Sequence, residues 1–360
     1  MNRYFFYIAA AAALLSAACT KEPLKEEEPV IPVTGITLNP CDTVLLVGAT
    51  LILDAAVEPA GATNQTVTWN TSDDRVATVN PAGELTAVAA GTATITVCAG
   101  DGGFTATCTV IVTKPNITMT TQAGGICLEI YINASADNFV NFAIHWGDGN
   151  TDATRSSGSE CYVFHHYYSD KSEHRIVISG DNIEGLYCYE NHLTALDVSG
   201  ATALEYLYCH KNQLIALDVS GNTALKTLDC SRNQITSLNV SGNTALKVLE
   251  CYENQLIALD VSGATALVDL AVCMNRITNL DVSANTALHS LCCNDNQLTV
   301  SALDDLFGTL PYTFGYVEIN NNPGELDCDR GIAEKKGWIF DKWHWLPIHT
   351  WSTYMHFPTK

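Results

Sequence analysis

Between residues 183 and 298 the apolar positions recur every 21 residues. In register the unit reads L-x-x-L-x-C-x-x-N-x-L-x-x-L-D-V-S-x-x-T-A. Leu186, Leu207, Leu228, Leu249, Leu270 and Leu291 form one column. Asn191, Asn212, Asn233, Asn254, Asn275 and Asn296 form a second, and Val198, Val219, Val240, Val261 and Val282 a third. A period of this length marks stacked repeats. The alternation in L-x-C predicts a short strand with Leu and Cys facing inward and the residues between them facing out. One repeat offers few core side chains (Ile183, Leu186, Cys188, Leu193, Leu196, Val198 and Leu204 in the first), too few to offset the entropy of ordering its backbone. Stacking must supply the rest through a shared core and a continuous parallel ladder.

The front half of this unit resembles the leucine-rich repeat, with Cys at one of its apolar places. That column runs Cys188, Cys209, Cys230, Cys251, then Val272, then Cys293. Val272 shows that the slot needs an apolar residue and not a thiol. Neighbouring parallel strands lie ~4.8 Å apart, whereas a disulfide wants Cβ atoms about 3.8 Å apart. The column therefore reads as core, with no metal and no cofactor. The Asn column is expected to tolerate unusual backbone angles and to bond backbone groups where the chain leaves the strand. Ser199, Ser220, Ser241 and Ser262 are expected to cap the turn that follows.

Upstream, residues 32–113 carry alternating or continuous apolar, β-branched runs such as "GTATITVCAG", with Asp101-Gly102 marking a hairpin turn. "TGITLNP", "VGATLILDAAVEPAGATNQTVTWNTSDDRVATVNPAGELTAVAAGTATITV" and "ATCTVIV" closely resemble the group 2 bacterial immunoglobulin-like domain. The resemblance implies a sandwich that acts as spacer or adhesion module, with Trp69 as its buried tryptophan. Residues 114–182 form a second β module. Trp146-Gly-Asp-Gly149 followed by His166-Tyr-Tyr168 resembles the polycystic-kidney-disease-type sandwich. Asp148 and Asp152 mimic the start of a calcium loop, but Ala153 stands where the loop glycine belongs, so a turn is expected. His165 and His166 are assigned to a strand and its edge. The fold class is thus multidomain: two all-β immunoglobulin-like sandwiches followed by a leucine-rich-repeat solenoid with a parallel β ladder. After residue 298 the period breaks. Residues 299–360 read as a C-terminal cap, with "SALDDLFGTLP" a helix, "YVEINNNPG" a last strand and "CDRGIAEKKGW" a short helix. An aromatic tail follows, with Trp338, Trp343, Trp345 and Trp351; a buried capping segment is expected there, with sugar stacking as the alternative. His344, His349 and His356 show no metal spacing.

The first residues change the picture of where the chain works. Phe5 to Leu15 is apolar but shorter than the ~20 residues that span a bilayer, and Leu15-Ser-Ala-Ala-Cys19 follows. Residues 1–18 resemble a bacterial lipoprotein signal, which implies lipidation of Cys19. Residues 19–31 form an acidic, proline-punctuated tether resembling the surface-export signal of Bacteroidota lipoproteins. The expected location is the outer membrane and cell surface, held through the lipid anchor only. The formal net charge of −21 over 360 residues argues against nucleic acid, whose phosphates demand a basic surface.

Positions that vary between repeats are free of the coil's demands. Four outward columns read Tyr187, Tyr208, Asp229, Glu250, Ala271, Cys292; Tyr189, His210, Ser231, Tyr252, Cys273, Asn294; Gly185, Tyr206, Thr227, Val248, Asp269, Ser290; and Glu190, Lys211, Arg232, Glu253, Met274, Asp295. Tyr187, Tyr189, Tyr206, Tyr208, His210 and Tyr252 are therefore the candidate ligand contacts on the concave face, since tyrosine offers rigid apolar area and a hydroxyl. Cys273 and Cys292 also fall outward, on adjacent coils; they are the better candidates for reactivity, although a diagonal of ~8 Å is long for a direct bridge. No G-x-S-x-G, H-E-x-x-H or C-x-x-C occurs, and the carboxylates Asp197, Asp218, Asp260 and Asp281 share their column with Asn239, which marks them as structural. No catalytic residue is assigned. The expected function is adhesion or interaction with a protein or carbohydrate ligand. The alternatives are glycan capture for a polysaccharide-uptake system and, last, a hydrolase.

Overall fold

The computed structural model describes residues 29–133, 140–156, 159–180 and 182–340. Cys19, residues 1–18, most of the tether and the tail with Trp343, His344, Trp345, His349, Trp351 and His356 lie outside them.

The period-2 alternation in residues 91–113 becomes a hairpin, with Gly91–Ala99 antiparallel to Thr105–Thr113. Ala93, Ile95 and Val97 face Cys108, Val110 and Val112 across one buried side. Gly102 and Gly103 both take positive φ in the turn, which L-residues with a Cβ resist. Asp42–Leu46 adds to this hairpin in parallel and Val67–Thr71 adds antiparallel. A three-stranded sheet of Thr50–Ile52, Glu84–Ala87 and Ala77–Val79 closes the core through Leu53, Leu85 and Ala77. Trp69 does not fill this core: it is half-buried and packs at its margin. The centre is taken by aliphatic side chains, which suit the narrow space between two small sheets.

The 114–182 segment folds onto the repeats and shares their sheets. Gly125–Ile132 pairs antiparallel with both Glu160–Tyr167 and the first solenoid strand, Ile183–Tyr187. On the other side, Ile117–Thr121 pairs with Leu193–Asp197 of the first coil. One apolar core therefore runs from Ile117 to Trp338. The first coil has no open edge, which would otherwise invite association with other strands. Within this cap Trp146 is fully buried, stacks on His166 at 4.6 Å and donates Nε1–H to Asp152 at 2.8 Å. Asp148 accepts the Asn150 N–H and pairs with His166 Nε2 at 2.8 Å. The two carboxylates are thus engaged by different partners, as a turn requires and a calcium loop does not. His165 and His166 lie on the strand Glu160–Tyr167.

The inner solenoid strands, from the one holding Leu207 to the one holding Leu291, are three residues long, and the Leu positions stay in parallel register: Leu186 opposite Leu207, then Leu228, Leu249, Leu270, Leu291 and Val317. Cys188, Cys209, Cys230, Cys251, Val272 and Cys293 are all buried behind them. The Asn column staples coil to coil. Asn212 Oδ1 accepts the N–H groups of Asn191 and Leu193 at 3.0 and 2.9 Å, while its Nδ2 donates to the carbonyls of Cys188 and Cys209, both at 2.9 Å. The same pattern returns at Asn233, Asn254, Asn275 and Asn296. At the start of the stack Asn191 bonds the Cys127 backbone instead, tying the cap to the first coil.

Two local expectations are corrected. The unusual backbone angle belongs to the residue before each Asn: Glu190, Lys211, Arg232, Glu253, Met274 and Asp295 all have φ between 52 and 57°. That reversal aims the Asn amide at the exposed strand-end carbonyls, and the bonds it makes offset the ~1–2 kcal/mol that a left-handed L-residue costs. The serines are not the caps either. Each Ser N–H donates to the carboxamide or carboxylate two residues earlier: Ser199 to Asp197, Ser220 to Asp218, Ser241 to Asn239, Ser262 to Asp260 and Ser283 to Asp281, at 2.8–3.1 Å. Only one side-chain oxygen is needed, which is why Asn239 serves as well as Asp.

At the far end, helix Val300–Thr309 buries Leu303, Leu306 and Phe307 under the last coil. Gly315–Glu318 continues the parallel ladder, and Trp338–Phe340 adds the final described strand. Gly337 ends the short helix Gly331–Glu334 region with φ 95°. No helix among the described residues is long and apolar enough to cross a membrane.

Candidate ligand-binding face

The outward residues of the short strands form one continuous face because the parallel register keeps equivalent positions side by side. Tyr187 lies opposite Tyr208, and their rings stack at 4.7 Å with planes 12° apart. Two residues along, Tyr189 stacks on His210 at 4.8 Å and 4°. Tyr206 stands beside this group, half-buried in the neighbouring column. The structure thus brings five of the six predicted contacts together. Their exposure differs from a simple outward row: Tyr189 is the most exposed at 38%, Tyr187, Tyr206 and Tyr208 are half-buried, and His210 is only 6% exposed. Burial pushes the Tyr208 hydroxyl up to about 12, so it remains a hydrogen-bond donor at neutral pH.

Tyr252 is the one that stands apart. It lies two coils further along and is buried among Ala271, Cys273 and Cys292, because the small residues that follow it in both columns leave room for its ring to lie over. Cys273 and Cys292, expected on an open surface, are likewise buried at 8% and 2%.

Between the two groups lies a polar centre. His210 Nδ1 pairs with Asp229 Oδ2 at 2.9 Å, and Asp229 Oδ1 accepts both the N–H and the Oγ–H of Ser231 at 3.0 and 2.7 Å. Asp229, Ser231 and Glu250 are essentially without solvent contact. Along the left-handed column the charges pair in sequence: Lys211 with Glu190, and Arg232 Nε with Glu253 at 3.0 Å. The face therefore grades from aromatic, through acidic and polar, to sulfur-bearing. A depression of about 210 Å³ opens at the last part, between Tyr252, Cys273, Met274, Cys292, Asn294 and Glu318. The face carries aromatic rings and hydrogen-bonding groups side by side. Among the described residues no three or more His, Cys, Asp or Glu side chains converge to hold a metal ion.

Two features escaped the sequence reading. A second buried Asn ladder, Asn222, Asn243 and Asn285, bonds carbonyls of the preceding coil, as Asn222 does to Val198 and Ala201 at 2.9 and 2.8 Å. Its signal was the Ala/Asn alternation at positions 201, 222, 243, 264 and 285. Glu318 reaches the face from the last strand, outside the strict period, so no column announced it.

Residues 32–110 match the family model of the bacterial Ig-like domain (group 2). Over 84 residues the chain is 45% identical to an Ig-like virion protein of Serratia phage KSP90, covering 23% of this chain and 33% of that protein. The chain spans at most about a third of the length of the curated relatives it matches. Among solved structures, the functional domain of InlJ from Listeria monocytogenes, which includes a cysteine ladder, is 34% identical; the match covers 43% of this chain and 38% of that one at TM-score 0.32. An LRR protein of Leptospira interrogans is 21% identical over 44% of this chain and 49% of that one, at TM-score 0.36. An Ig-like domain at the N-terminal side and a β-solenoid of parallel coils are the architecture of this chain.

Proposed function

We propose that this chain is a surface-anchored, non-enzymatic interaction protein that binds a protein or glycan ligand through the outer face of its repeats. The Ig-like module serves as spacer, the polycystic-kidney-disease-like module as cap, and a lipid on Cys19 as the outer-membrane anchor. The observation that supports this reading most is the pair of ring stacks, Tyr187 on Tyr208 and Tyr189 on His210. They occupy positions where other coils carry Asp, Glu, Ser or Ala, so the coil does not require them. Aromatic platforms of this kind suit sugar rings and protein hot spots alike. Carboxylates on the face have structural partners: Asp229 with His210 and Ser231, Glu190 with Lys211, and Glu253 with Arg232.

The experiment is a glycan array run beside a pulldown of cell-surface proteins, both with the full chain. Tyr187→Ala with Tyr208→Ala should lower affinity for the ligand so found at least tenfold. Unchanged affinity in that double variant would sink the assignment of the face. Capture on the array alone favours the glycan-uptake role, and capture of a protein alone favours adhesion.

A further inference from the structure

We propose that Cys273 and Cys292 form a two-coordinate thiolate site for a soft monovalent metal ion of the Cu(I) class, with the Met274 thioether as a third, weaker donor. The inference does not depend on the ligand proposed for Tyr187, Tyr189, Tyr206 and Tyr208, which lie three or more coils away.

These two cysteines are not part of the core ladder. Their positions hold Tyr, Asp, Glu, His, Ser, Ala or Asn in other coils, so packing of the coil does not call for sulfur there. They come from adjacent coils and share one small buried cluster with Tyr252 and Ala271. Both line the 210 Å³ depression, and so does Met274, which the left-handed backbone at φ 54° turns outward to 48% exposure. Three sulfur side chains thus border one opening.

A direct disulfide fits this geometry less well. Cys292 pairs with Ala271 in the ladder, and the coils stay in register as far as the Met274 N–H to Asn294 carbonyl bond at 3.0 Å. Cys273 is therefore diagonal to Cys292, with Cα atoms about 8 Å apart on the strand lattice, beyond the ~7 Å that a disulfide bridges. An ion inserted between the sulfurs, with metal–sulfur bonds of about 2.3 Å, can join two clustered thiols that are not bonded to each other. Thiolate and thioether donors select Cu(I) over hard ions. Zinc needs four donors, and the described residues supply no group of three or more His, Cys, Asp or Glu.

Binding releases two protons: one cation and two thiols give a dithiolate complex. Burial first, and then the neighbouring Cys273, push the Cys292 thiol up. Cys292 Sγ donates to Asn294 Oδ1 at 2.8 Å and lies 3.9 Å from Glu318 Oε2, which is placed to receive the departing proton. Metal binding of this kind is coupled to loss of the ligand protons.

The test uses the full chain, reduced and kept free of oxygen, titrated with Cu(I) in competition with bicinchoninate. One tightly held equivalent per chain is expected. In moderate denaturant, where opening of the coils exposes the pair, saturation should slow alkylation of Cys273 and Cys292, read by peptide mass mapping, while exposed Cys41 and Cys161 react at an unchanged rate. C273S and C292S should each weaken the site at least 100-fold, and M274L about tenfold. The protection measurement needs no variant, so it decides the matter if a variant fails to fold. Unaltered stoichiometry and affinity in C273S/C292S, protection at other thiols only, or a Cys273–Cys292 disulfide in the chain isolated without reductant overturns the proposal.

Discussion

The side-chain amide of Asn254 donates to the carbonyl of Cys230, 24 residues earlier, at 3.0 Å. The same side chain accepts the Ile235 N–H at 2.9 Å and donates to Cys251 of its own coil at 3.1 Å. One residue therefore satisfies backbone groups on two coils, in a place where water does not reach.

Asn254→Ala should destabilise the solenoid by about 2–4 kcal/mol. Each buried backbone group left unpaired costs about 1–3 kcal/mol, partly relieved by relaxation. Asn254→Asp keeps the acceptor but loses the bonds donated to Cys230, Cys251 and Tyr252 and buries a charge, so it should cost at least as much. Hydrogen exchange at Ile235 and its neighbours, with denaturant unfolding of the full chain, reads the effect. A loss under ~0.5 kcal/mol would contradict the stapling role.

The turn carboxylates predict acid sensitivity with a definite sign. The Ser220 N–H bonded to Asp218, and the Ser283 N–H bonded to Asp281, hold both carboxyls below their ordinary value of 3.8. A group depressed in the folded state stabilises above its unfolded pKa, and that stability is lost as pH falls through the folded value. D218N with D281N should match the parent near neutrality, as Asn239 already does in its coil, and should flatten the stability profile below about pH 4. Thermal unfolding across pH 2.5–7 measures it. A large loss at pH 7 would show that the charge matters, not the acceptor oxygen.

The ladder thiols should be inert and replaceable by hydrocarbon. Burial pushes the Cys188, Cys209, Cys230, Cys251 and Cys293 thiols up. Native alkylation at these five should therefore be limited by unfolding of the coil. Cys251→Val should cost under ~1.5 kcal/mol, as Val272 fills the equivalent slot. Cys251→Ser should cost about 1–3 kcal/mol by burying a hydroxyl without a built partner. Unfolding midpoints of the two variants, compared directly, give the answer; equal costs would remove the hydrophobic reading of the column.

Much of the candidate face was legible because a repeat supplies its own comparison. Leu207 and Asn212 recur, so they build the coil; Tyr208 and His210 do not recur, so they are free for something else. Periodicity also showed that Tyr187 and Tyr208 are neighbours, 21 residues apart in the chain. It could not show that Tyr252 and Cys292 are covered. Burial of an outward position depends on the size of side chains on the next coils, and those are the variable ones. The left-handed angles at Lys211 and Met274 were hidden for a related reason: no glycine marks them, since the Asn bonds supply the compensation from outside the residue itself.

By itself the chain determined its period, its inward columns and its parallel stacking, because those follow from local alternation repeated at fixed spacing. Only the tertiary structure decided that the strands Ile117–Thr121 and Gly125–Ile132 continue the solenoid's two sheets and core, that aliphatic side chains and not Trp69 fill the centre of the Ig-like module, and that Met274 and Glu318 meet Cys273 and Cys292 at one opening. These depend on which edges pair and which side chains share a space between coils, and such contacts join residues whose spacing obeys no single period.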